Sequence, residues 1–558
     1  MKEITSSSKQ FETLKKGFNL RFPENNAGAT RIALCNNYSD IMQAYQNAMR
    51  VPNGRVTVRS GGHCYEGFVS DTLNVNEELT IIDVSQMKGV SSKAAGDLFV
   101  TFPGNPQNYD YQIMAGNQNW ETAISLYHKN NVALPAGSCY AVGVGGHISG
   151  GGYGFLSRAN GLTVDHLVAV DILVPDNIDG KTLVPVHVHS RSGTEDELNL
   201  LYACRGAGGG QFGIIVAYYF NELPTPPEQV YWLELNLNFE PVDTEKSKFK
   251  QLLDGYYGWF QSRQAFPDTY RLFTKLELRH VNTGDVSIGI QYYDAAGKAE
   301  NPSILKDFLD NVIFSVFPNG GVSEAMLSTG LVHAPRVIGG NRAVSNSEEA
   351  ILKARKLDWL TAVQNVNGIG QNQKGRYKSA YQKGAFENRQ VDALWDSLRS
   401  ERAYNFDKYQ TQTVVQIQSY GGKINNPTTE TSACQRDSIL KWQPQSYWKD
   451  SQELSPDGVS YDKIHHDWLV GLYQKAFASG VPATSANFDG CYINYPDMDM
   501  TRALGAAVGE SNYKANGFAL YFPNKSVRNR LINTKKVWDK FDMFKNQMSV
   551  KPDWPIES

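Results

Sequence analysis

The stretch GSCYAVGVGGHISGGGYG, at positions 137–154, constrains the fold of this chain more than any other. Seven glycines lie between positions 143 and 154. Consecutive glycines allow backbone N–H groups to converge on an anion, because no side chain obstructs the approach and positive φ angles are accessible. The stretch lacks the Lys-Ser/Thr pair of a nucleotide-hydrolysing loop, and Val, Ile and Tyr interrupt it, unlike a flexible linker. It therefore predicts a loop that binds the phosphates of a dinucleotide cofactor.

A second short motif, RSGGHCYEGF, begins at Arg59. The run GRVTVRS before it is typical of a β-strand, and the two glycines predict a tight turn that presents His63 in a loop, where functional residues concentrate. Taken alone, a His at this position is more often a hydrogen-bonded structural residue than a catalyst. Cys64 and Cys139 taken alone are ordinary buried thiols, since free cysteine behaves as a small hydrophobic residue.

Length and charge bound the class of protein. At 558 residues the chain exceeds the roughly 250–300 residues of a single core, which predicts two or more structural units. Its 41% hydrophobic and 20% charged residues are those of an ordinary globular protein. Lys plus Arg (54) nearly balances Asp plus Glu (57), so the basic surface of nucleic-acid-binding proteins is not expected.

The N-terminus and the cysteines indicate the compartment. The first residues, MKEITSSSKQFETLKKGF, contain no apolar segment of a signal peptide. No run approaches 18 uninterrupted apolar residues, so no membrane association is predicted. The six cysteines are sparse and match neither a disulfide framework nor a metal-binding pattern. We expect a cytoplasmic protein with free thiols and no metal, although secretion stays open.

The first third of the chain alternates strand and helix patterns. ATRIALC and GRVTVRS predict strands, and NNYSDIMQAYQNAMRV between them predicts a helix that is capped by Asn36 or Ser39. The apolar face of this helix comprises Ile41, Ala44 and Ala48. Further on, NWETAISLYHKNN predicts a helix, VALPAG a short strand, and DHLVAVDILVP a strand that ends at Pro175.

A formal GxGxxG match lies at positions 208–213. A Rossmann fingerprint must open a helix, because the pyrophosphate sits at the helix N-terminus. The following run, IIVAYYF, is β-branched and aromatic and predicts a strand instead. A Rossmann domain is therefore disfavoured.

The composition changes after the proline-rich segment at 225–227. WLELNLNF, YRLFTKLELRHV, VSIGIQYYD and TVVQIQSYGG alternate like half-buried antiparallel strands, and TEKSKFKQLLDGYYGWFQSR between them predicts an amphipathic helix. From FDGCYINYPDMDM onward we expect a return to α/β structure and a closing helix, RNRLINTKKVWDKF. The predicted division is 1–225, 226–486 and 487–558.

Three motifs together carry a family resemblance: RSGGH, GSCxxVGVGGHxxGGGYG and YxNYPDxD at 492–499. The combination resembles the berberine bridge enzyme-like branch of the vanillyl-alcohol oxidase, or p-cresol methylhydroxylase (PCMH), flavoprotein superfamily, over nearly the whole chain. The resemblance implies an α+β fold: a two-part FAD-binding domain of the PCMH type, 1–225 with 487–558, and a substrate domain, 226–486, whose antiparallel sheet is covered by helices.

The resemblance also implies two covalent bonds to FAD. His63 would bond the 8α-methyl carbon of the flavin, and Cys139 would bond ring carbon 6 through sulfur. Both side chains are nucleophiles, as this chemistry requires, and the two bonds would raise the reduction potential of the ring. Other residues implied to contact the cofactor are Arg59, Ser60, Gly61, Gly62, Gly137, Ser138, Val142, Gly143, Gly146, His147, Gly150, Gly151, Tyr153, Gly154, Gly213, Ile215 and Asn516.

By the same resemblance, Tyr495 is the catalytic base and Tyr492 contacts the substrate. A phenol with a pKa of about 10 is a poor base at neutral pH, so Tyr495 requires a stabilised phenolate. The strand QIQSYGG predicts Gln416, Gln418 and Tyr420 on one substrate-facing side. Relatives that oxidise oligosaccharides carry an acidic residue near the position of Gln418, so the sequence leaves the activation of Tyr495 open.

The implied reaction is the oxidation of a hydroxyl group of an alcohol, sugar or glycosylated natural product, with O2 reduced to H2O2. The small side chain of Val142 favours an oxidase, because in this branch it is associated with oxygen access to the flavin. Oxidative cyclisation or C–C bond formation in natural-product biosynthesis is the alternative chemistry, and a non-catalytic binding protein is the alternative class. The partners are a small-molecule substrate and O2; substrate identity and oligomeric state stay open.

Overall fold

The computed structural model describes residues 1–24, 28–106, 108–239, 244–280, 286–324, 342–365, 372–399, 412–450, 454–455, 457–500 and 517–557. The fold is α+β, as predicted, with three sheets. The two smaller sheets belong to the N-terminal part, and the largest is antiparallel and covered by helices on one face. None of the helices in the described ranges is both long and apolar enough to span a bilayer.

The first sheet has four strands in the order β1-β2-β4-β3. β2, β3 and β4 are parallel, and β1 pairs antiparallel with β2. The elements are β1 (Lys2–Thr5), α1 (Phe11–Leu14), β2 (Arg31–Leu34), α2 (Tyr38–Met49), β3 (Gly54–Arg59) and β4 (Glu78–Asp83). The predicted apolar face of α2 is buried. The predicted cap is wrong, because Asn37, rather than Asn36 or Ser39, accepts the Asp40 N–H at 2.9 Å.

The second sheet has five antiparallel strands in the order β5-β6-β9-β7-β8. They are β5 (Val90–Ser92), β6 (Tyr111–Met114), β7 (Leu167–Pro175), β8 (Leu183–His189) and β9 (Ile214–Phe220). β7 ends at Pro175 as predicted. β9 directly follows the GxGxxG match, which confirms that the match opens a strand and not a helix.

Two predictions are wrong for the segment between these strands. Its helices are α3 (Asn119–Asn130), α4 (Val144–Ser149), α5 (Ser157–Asn160) and α6 (Glu195–Cys204), with a 3-10 turn at Thr163–Asp165. No strand lies in VALPAG, because Pro135 has no N–H to donate to a ladder. The glycine-rich stretch is not wholly a loop: it forms α4, whose Val144 and Ile148 are buried, so tertiary packing overrides the low helix propensity of glycine.

The third sheet contains nine strands, with the main order β13-β10-β12-β11-β17-β18-β15. β14 pairs with β10, and β16 pairs with β18. The strands are β10 (Gln229–Leu237), β11 (Leu272–Arg279), β12 (Val286–Tyr292), β13 (Val322–Glu324), β14 (Arg355–Asp358), β15 (Lys374–Tyr377), β16 (Ala380–Gln382), β17 (Gln412–Ser419) and β18 (Leu440–Trp448). All four predicted strands of this region are present.

Helices cover one face of this sheet. They are α7 (Thr244–Ser262), α8 (Ser303–Phe308) with a π turn at Leu309–Phe314, α9 (Ser347–Lys353), α10 (Trp359–Asn365), α11 (Asn388–Leu398) and α12 (Tyr461–Ala476). Short 3-10 turns lie at Pro267–Arg271 and Gly422–Asn425. The aromatic side chains of Phe249, Tyr256 and Phe260 in α7 are fully buried against the sheet. The opposite face carries polar side chains and lines a cavity.

The C-terminal segment packs against the N-terminal part. It contains α13 (Phe518–Tyr521) and α14 (Lys525–Trp538). The predicted α/β character is wrong for the described residues after 486, which form helices and turns but no strand. The fully buried Lys535 donates to the Gln211 carbonyl at 2.5 Å, and the Val550 N–H donates to the Gln211 side chain at 3.0 Å. We propose on these contacts that 487–558 completes the unit formed by 1–225, with 226–486 as the second domain.

Candidate active site

A cavity of about 470 Å3 lies between the glycine-rich stretch and the polar face of the third sheet. This volume is within the range of roughly 300–1,000 Å3 that is typical of cofactor and ligand sites. The sequence-predicted residues that line it are Arg59, Ser60, Gly61, Gly62, His63, Gly137, Ser138, Cys139, Val142, Gly143, Gly146, His147, Tyr153, Gly154, Gly213, Ile215, Gln416, Gln418, Tyr492 and Tyr495.

Three predicted residues of the described ranges do not lie on this wall. A Cβ at Gly150 would lie 2.0 Å from Asn494 Oδ1, so Gly150 is a close-packing position behind the cavity. At Gly151 a Cβ would only touch the ring of Tyr492, at 3.7 Å, but the φ of 120° favours glycine there. Tyr420 is buried and donates to the Gln435 carbonyl, and it is not among the described residues that line the cavity. Its substrate role stays a prediction that the lining of this cavity does not support. Asn516 lies outside the described residues.

His63 follows directly from the end of β3. Arg59 forms a buried ion pair with Asp83 at 2.7 Å, which fixes the end of the strand. Gly62 has a φ of 74°, a left-handed conformation that glycine adopts without strain. The ring of Phe18 stacks on the imidazole of His63 with a centroid distance of 4.4 Å. The turn and the stacked ring together hold the imidazole at the cavity.

Cys139 lies in a turn that the start of α3 holds in place. The Asn119 N–H donates to the Val142 carbonyl at 3.0 Å, and the Asn119 side-chain amide donates to the Cys139 carbonyl at 3.2 Å. The two motifs meet immediately beside this turn, since a Cβ at Gly61 would lie 2.2 Å from the Gly143 nitrogen. Both glycines are required by this backbone contact, which brings His63 and Cys139 to one cavity.

His147, in α4, is a buried neutral imidazole. Burial, together with the positive charge of Lys441, lowers the pKa of His147 to about 4. The Gly137 N–H donates to its Nε2 at 2.9 Å. His147 therefore orders the backbone immediately before Cys139, which is the role of a structural acceptor.

Tyr492 and Tyr495 form a compact turn. The Tyr495 N–H donates to the Tyr492 carbonyl at 2.9 Å, and the two rings meet edge to face at 4.9 Å. Asn494 between them donates to the His147 carbonyl at 2.9 Å and to the Tyr492 hydroxyl at 3.0 Å, which ties the turn to α4. Burial raises the pKa of Tyr492 to about 12 and the pKa of Tyr495 well above its ordinary value.

The sequence analysis missed Lys441, in β18. Its side chain is completely buried, and its Nζ lies 4.4, 4.6 and 4.2 Å from the ring centres of Tyr153, Tyr492 and Tyr495. Nζ has no hydrogen-bond partner within the described part of the chain. Burial lowers the pKa of Lys441 well below its ordinary value. The strand pattern LKWQPQSYW could have indicated Lys441 as a site residue, because a strand's period of two places Lys441 on the same face as Gln443 and Gln445.

The third sheet forms a polar roof over the other end of the cavity. Its side chains come from β11, β17 and β18: Lys275, Glu277, Arg279, Gln416, Gln418, Gln443 and Gln445. Their spacing by two along each strand places them on one face. The sequence analysis identified only Gln416 and Gln418 of this group, although LFTKLELR shows the same alternation.

The wall opposite the roof fits a dinucleotide. A Cβ at Gly146 or at Gly210 would meet no heavy atom within 4 Å, so these backbones border open space. Nucleophilic side chains, His63 and Cys139, line the same cavity as this bare backbone. The arrangement suits a large flat ligand with phosphates along the glycines, with His63 and Cys139 on one side and the half-buried phenol of Tyr495 on the other.

Comparison with known proteins agrees with this geometry. A family model described as an FAD binding domain matches residues 30–178. The chain is 30% identical over 555 residues to a hexose oxidase of Chondrus crispus, covering 96% of this chain and 92% of the relative. It is 28% identical over 559 residues to an aclacinomycin-N/aclacinomycin-A oxidase of Streptomyces galilaeus, covering 97% and 88%.

One similar solved structure is the complex of pregilvocarcin with GilR, an oxidoreductase that catalyses the terminal step of gilvocarcin biosynthesis. The TM-score is 0.78 at 26% sequence identity, and the match covers 99% of this chain and 100% of the other.

Proposed function

Because the chain belongs to the berberine bridge enzyme-like family of FAD-dependent oxidases, we propose that it oxidises a hydroxyl group of a hexose or of a glycosylated compound. The observation that carries the proposal is the position of one phenol, Tyr495, at the same cavity as His63 and Cys139, with the buried amine of Lys441 against its ring. The relatives named above support the substrate class.

FAD would be held by two covalent bonds, from His63 to the 8α-methyl carbon and from Cys139 to ring carbon 6. Three features support this attachment: both side chains line the cavity, Gly61 and Gly143 join their loops, and the bare glycine backbone leaves room for the phosphates. When bound, FAD supplies the acceptor for a hydride and the route by which two electrons reach O2 as H2O2.

Tyr495 takes the proton of the substrate hydroxyl. Burial alone raises the pKa of Tyr495 and disfavours the phenolate. A protonated Lys441, with Nζ 4.2 Å from the ring centre, acts in the opposite direction, because a nearby positive charge favours the anionic form. The effect is reciprocal, since a phenolate at Tyr495 favours the ammonium form of Lys441. This amine therefore supplies the activation that the sequence left open.

Tyr492 and Asn494 orient the base. Asn494 holds the Tyr492 hydroxyl and the α4 backbone at the same time, so the turn that carries Tyr495 has little freedom to move away from the cavity. The edge-to-face contact between Tyr492 and Tyr495 fixes the plane of the catalytic ring. Positioning of this kind is a large part of enzymatic rate enhancement.

The roof favours a hydroxylated substrate over the alternative chemistry of oxidative cyclisation. Gln416, Gln418, Gln443 and Gln445 each carry an amide donor and an amide acceptor, and all four line the cavity. Sugar hydroxyls both donate and accept hydrogen bonds, so a row of amides matches them. An apolar polycyclic substrate would offer no partner to the amide donors and acceptors that the protein itself leaves unused, which costs free energy.

The test is oxygen consumption with H2O2 detection over two panels of compounds. One panel contains D-glucose, D-galactose, lactose and an aromatic glycoside, and the other contains alkaloid-like and polyketide phenols. Turnover of the first panel with one H2O2 formed per O2 consumed is expected. Turnover confined to phenols with a new C–C or C–O ring bond would establish the alternative instead.

A further inference from the structure

Three roof residues form a continuous chain of side-chain hydrogen bonds. Glu277 in β11 lies directly opposite Gln416 in β17, and Gln418 is two residues further along on the same face. Gln416 Nε2 donates to Glu277 Oε1 at 2.9 Å. Gln418 Nε2 donates to Gln416 Oε1 at 3.4 Å. All three side chains line the cavity.

The carboxylate at the start of this chain is ionised. Lys275 Nζ lies 2.7 Å from Glu277 Oε1, and Arg279 pairs with Oε2 of the same group. Burial acts to raise the pKa of Glu277, but the charges of Arg279 and Lys275 outweigh it and lower the pKa to about 2. An ionised carboxylate accepts hydrogen bonds and cannot donate them.

This fixed acceptor dictates the orientation of both amides. Gln416 must turn its Nε2 toward Glu277, since the reverse orientation would set an amide oxygen against a carboxylate oxygen. Oε1 of Gln416 then faces Gln418 and takes the Nε2 donor of that amide. The Oε1 of Gln418 is the end of the chain, and Gln418 directly opposes Lys441 of β18 in the register of the two strands.

We propose that Glu277 is a specificity-determining positioning residue, which presents Oε1 of Gln418 as a hydrogen-bond acceptor for a second hydroxyl of the substrate. The proposal rests on the proposed function and deepens it: the substrate carries one hydroxyl that Tyr495 deprotonates and another that donates to Gln418. A simple monohydroxylic alcohol lacks the second group and is a poor substrate.

The position of this carboxylate also explains how the chain manages without an acidic residue at 418. A glutamine there places no negative charge next to Lys441, so that no carboxylate at 418 competes with Tyr495 for this amine. Glu277 lies one strand away, and Lys275 and Arg279 more than balance its charge. The acceptor is thus provided without a negative charge beside the base.

The experiment compares D-glucose with its 2-, 3-, 4- and 6-deoxy analogues and the corresponding deoxyfluoro sugars, as substrates of the holoenzyme. A hydroxyl that donates to Gln418 is identified by a loss of at least tenfold in kcat/KM for the deoxy analogue. The deoxyfluoro analogue is no better, because fluorine cannot donate. Failure of the wild type to oxidise D-glucose and the other sugars would overturn both the proposed function and this inference.

Two variants then test Glu277 itself. In Glu277→Gln the amides lose their fixed orientation, and in Gln416→Leu the chain is interrupted without a change of charge. In both, we expect the KM for D-glucose to rise at least tenfold, kcat to change less than threefold, and the discrimination against the decisive deoxy sugar to fall below threefold. Gln418→Leu should give the same loss of discrimination.

Glu349→Gln is the matched control, since it makes the same substitution in α9, at an exposed residue paired with Lys353. It should leave all ratios unchanged. Anaerobic titration of D-glucose against the flavin absorbance reports the same differences as binding constants, independently of turnover. The inference would be overturned if the wild type is active and both Glu277→Gln and Gln416→Leu still discriminate against the deoxy sugar as strongly as the wild type. This outcome would leave the oxidase function intact.

Discussion

The amine of Lys441 lies 4.2 Å from the centre of the Tyr495 ring; Lys441 is fully buried, and Tyr495 is half-buried at the cavity. Burial disfavours the charged form of each group alone, whereas the two charges stabilise each other when both are present. A buried pair of this kind links the protonation of the base to a residue that does not react with the substrate.

Lys441→Met should move the pH-rate profile in the alkaline direction. Without the amine nothing offsets the burial of Tyr495, so the pKa of the phenol rises and the ascending limb of kcat/KM shifts upward by at least about one pH unit, equivalent to roughly 1.4 kcal/mol. The measurement is kcat/KM from pH 5 to 10. Lys250→Met, at an exposed ion pair in α7, is the control and should not shift the profile.

Tyr495→Phe removes the proton acceptor and keeps the ring. We expect kcat to fall by about 10²- to 10⁴-fold, the usual contribution of a general base, with flavin content unchanged. Stopped-flow reduction by substrate under anaerobic conditions measures the step directly. Reduction at the wild-type rate would show that another group accepts the proton.

The attachment of FAD is tested by denaturation. Acid-precipitated wild type should stay yellow, and so should His63→Ala and Cys139→Ala, because one bond remains in each. The double variant should release all its flavin into the supernatant. A colourless wild-type pellet would disprove covalent attachment, and Cys64→Ala provides the control thiol, with no expected loss.

The loop after Tyr495 depends on a buried ion pair. Lys378 Nζ lies 2.6 Å from Asp497 Oδ2, and the two side chains are 2% and 4% exposed. Lys378→Met leaves a buried carboxylate without its cation, so we expect the free energy of unfolding to fall by about 3–5 kcal/mol. Denaturant titration measures this loss. The exposed ion pair of Lys250 is the comparison, and Lys250→Met should lower the free energy of unfolding by less than about 1 kcal/mol.

The sequence predicted the strands and the long helices well, since their side-chain periods reflect burial directly. It placed Tyr420 in the site because it extended the alternation of β17 beyond Ser419, where the chain turns through Gly421 and Gly422, both at positive φ. It could not identify Lys441 as a neighbour of Tyr495, because that contact depends on the register of β17 with β18 and on the packing of the C-terminal turn.

The tie between Asn494 and the backbone of α4 has a consequence for biosynthesis. The ribosome releases His63 and Cys139 more than 350 residues before Tyr495, so the two proposed cofactor anchors exist in the nascent chain long before the proposed base. Tyr495 joins the cavity only when the C-terminal turn has emerged and Asn494 has bonded to the backbone of His147. The order of translation thus allows the chain to acquire a cofactor before it is able to turn over a substrate.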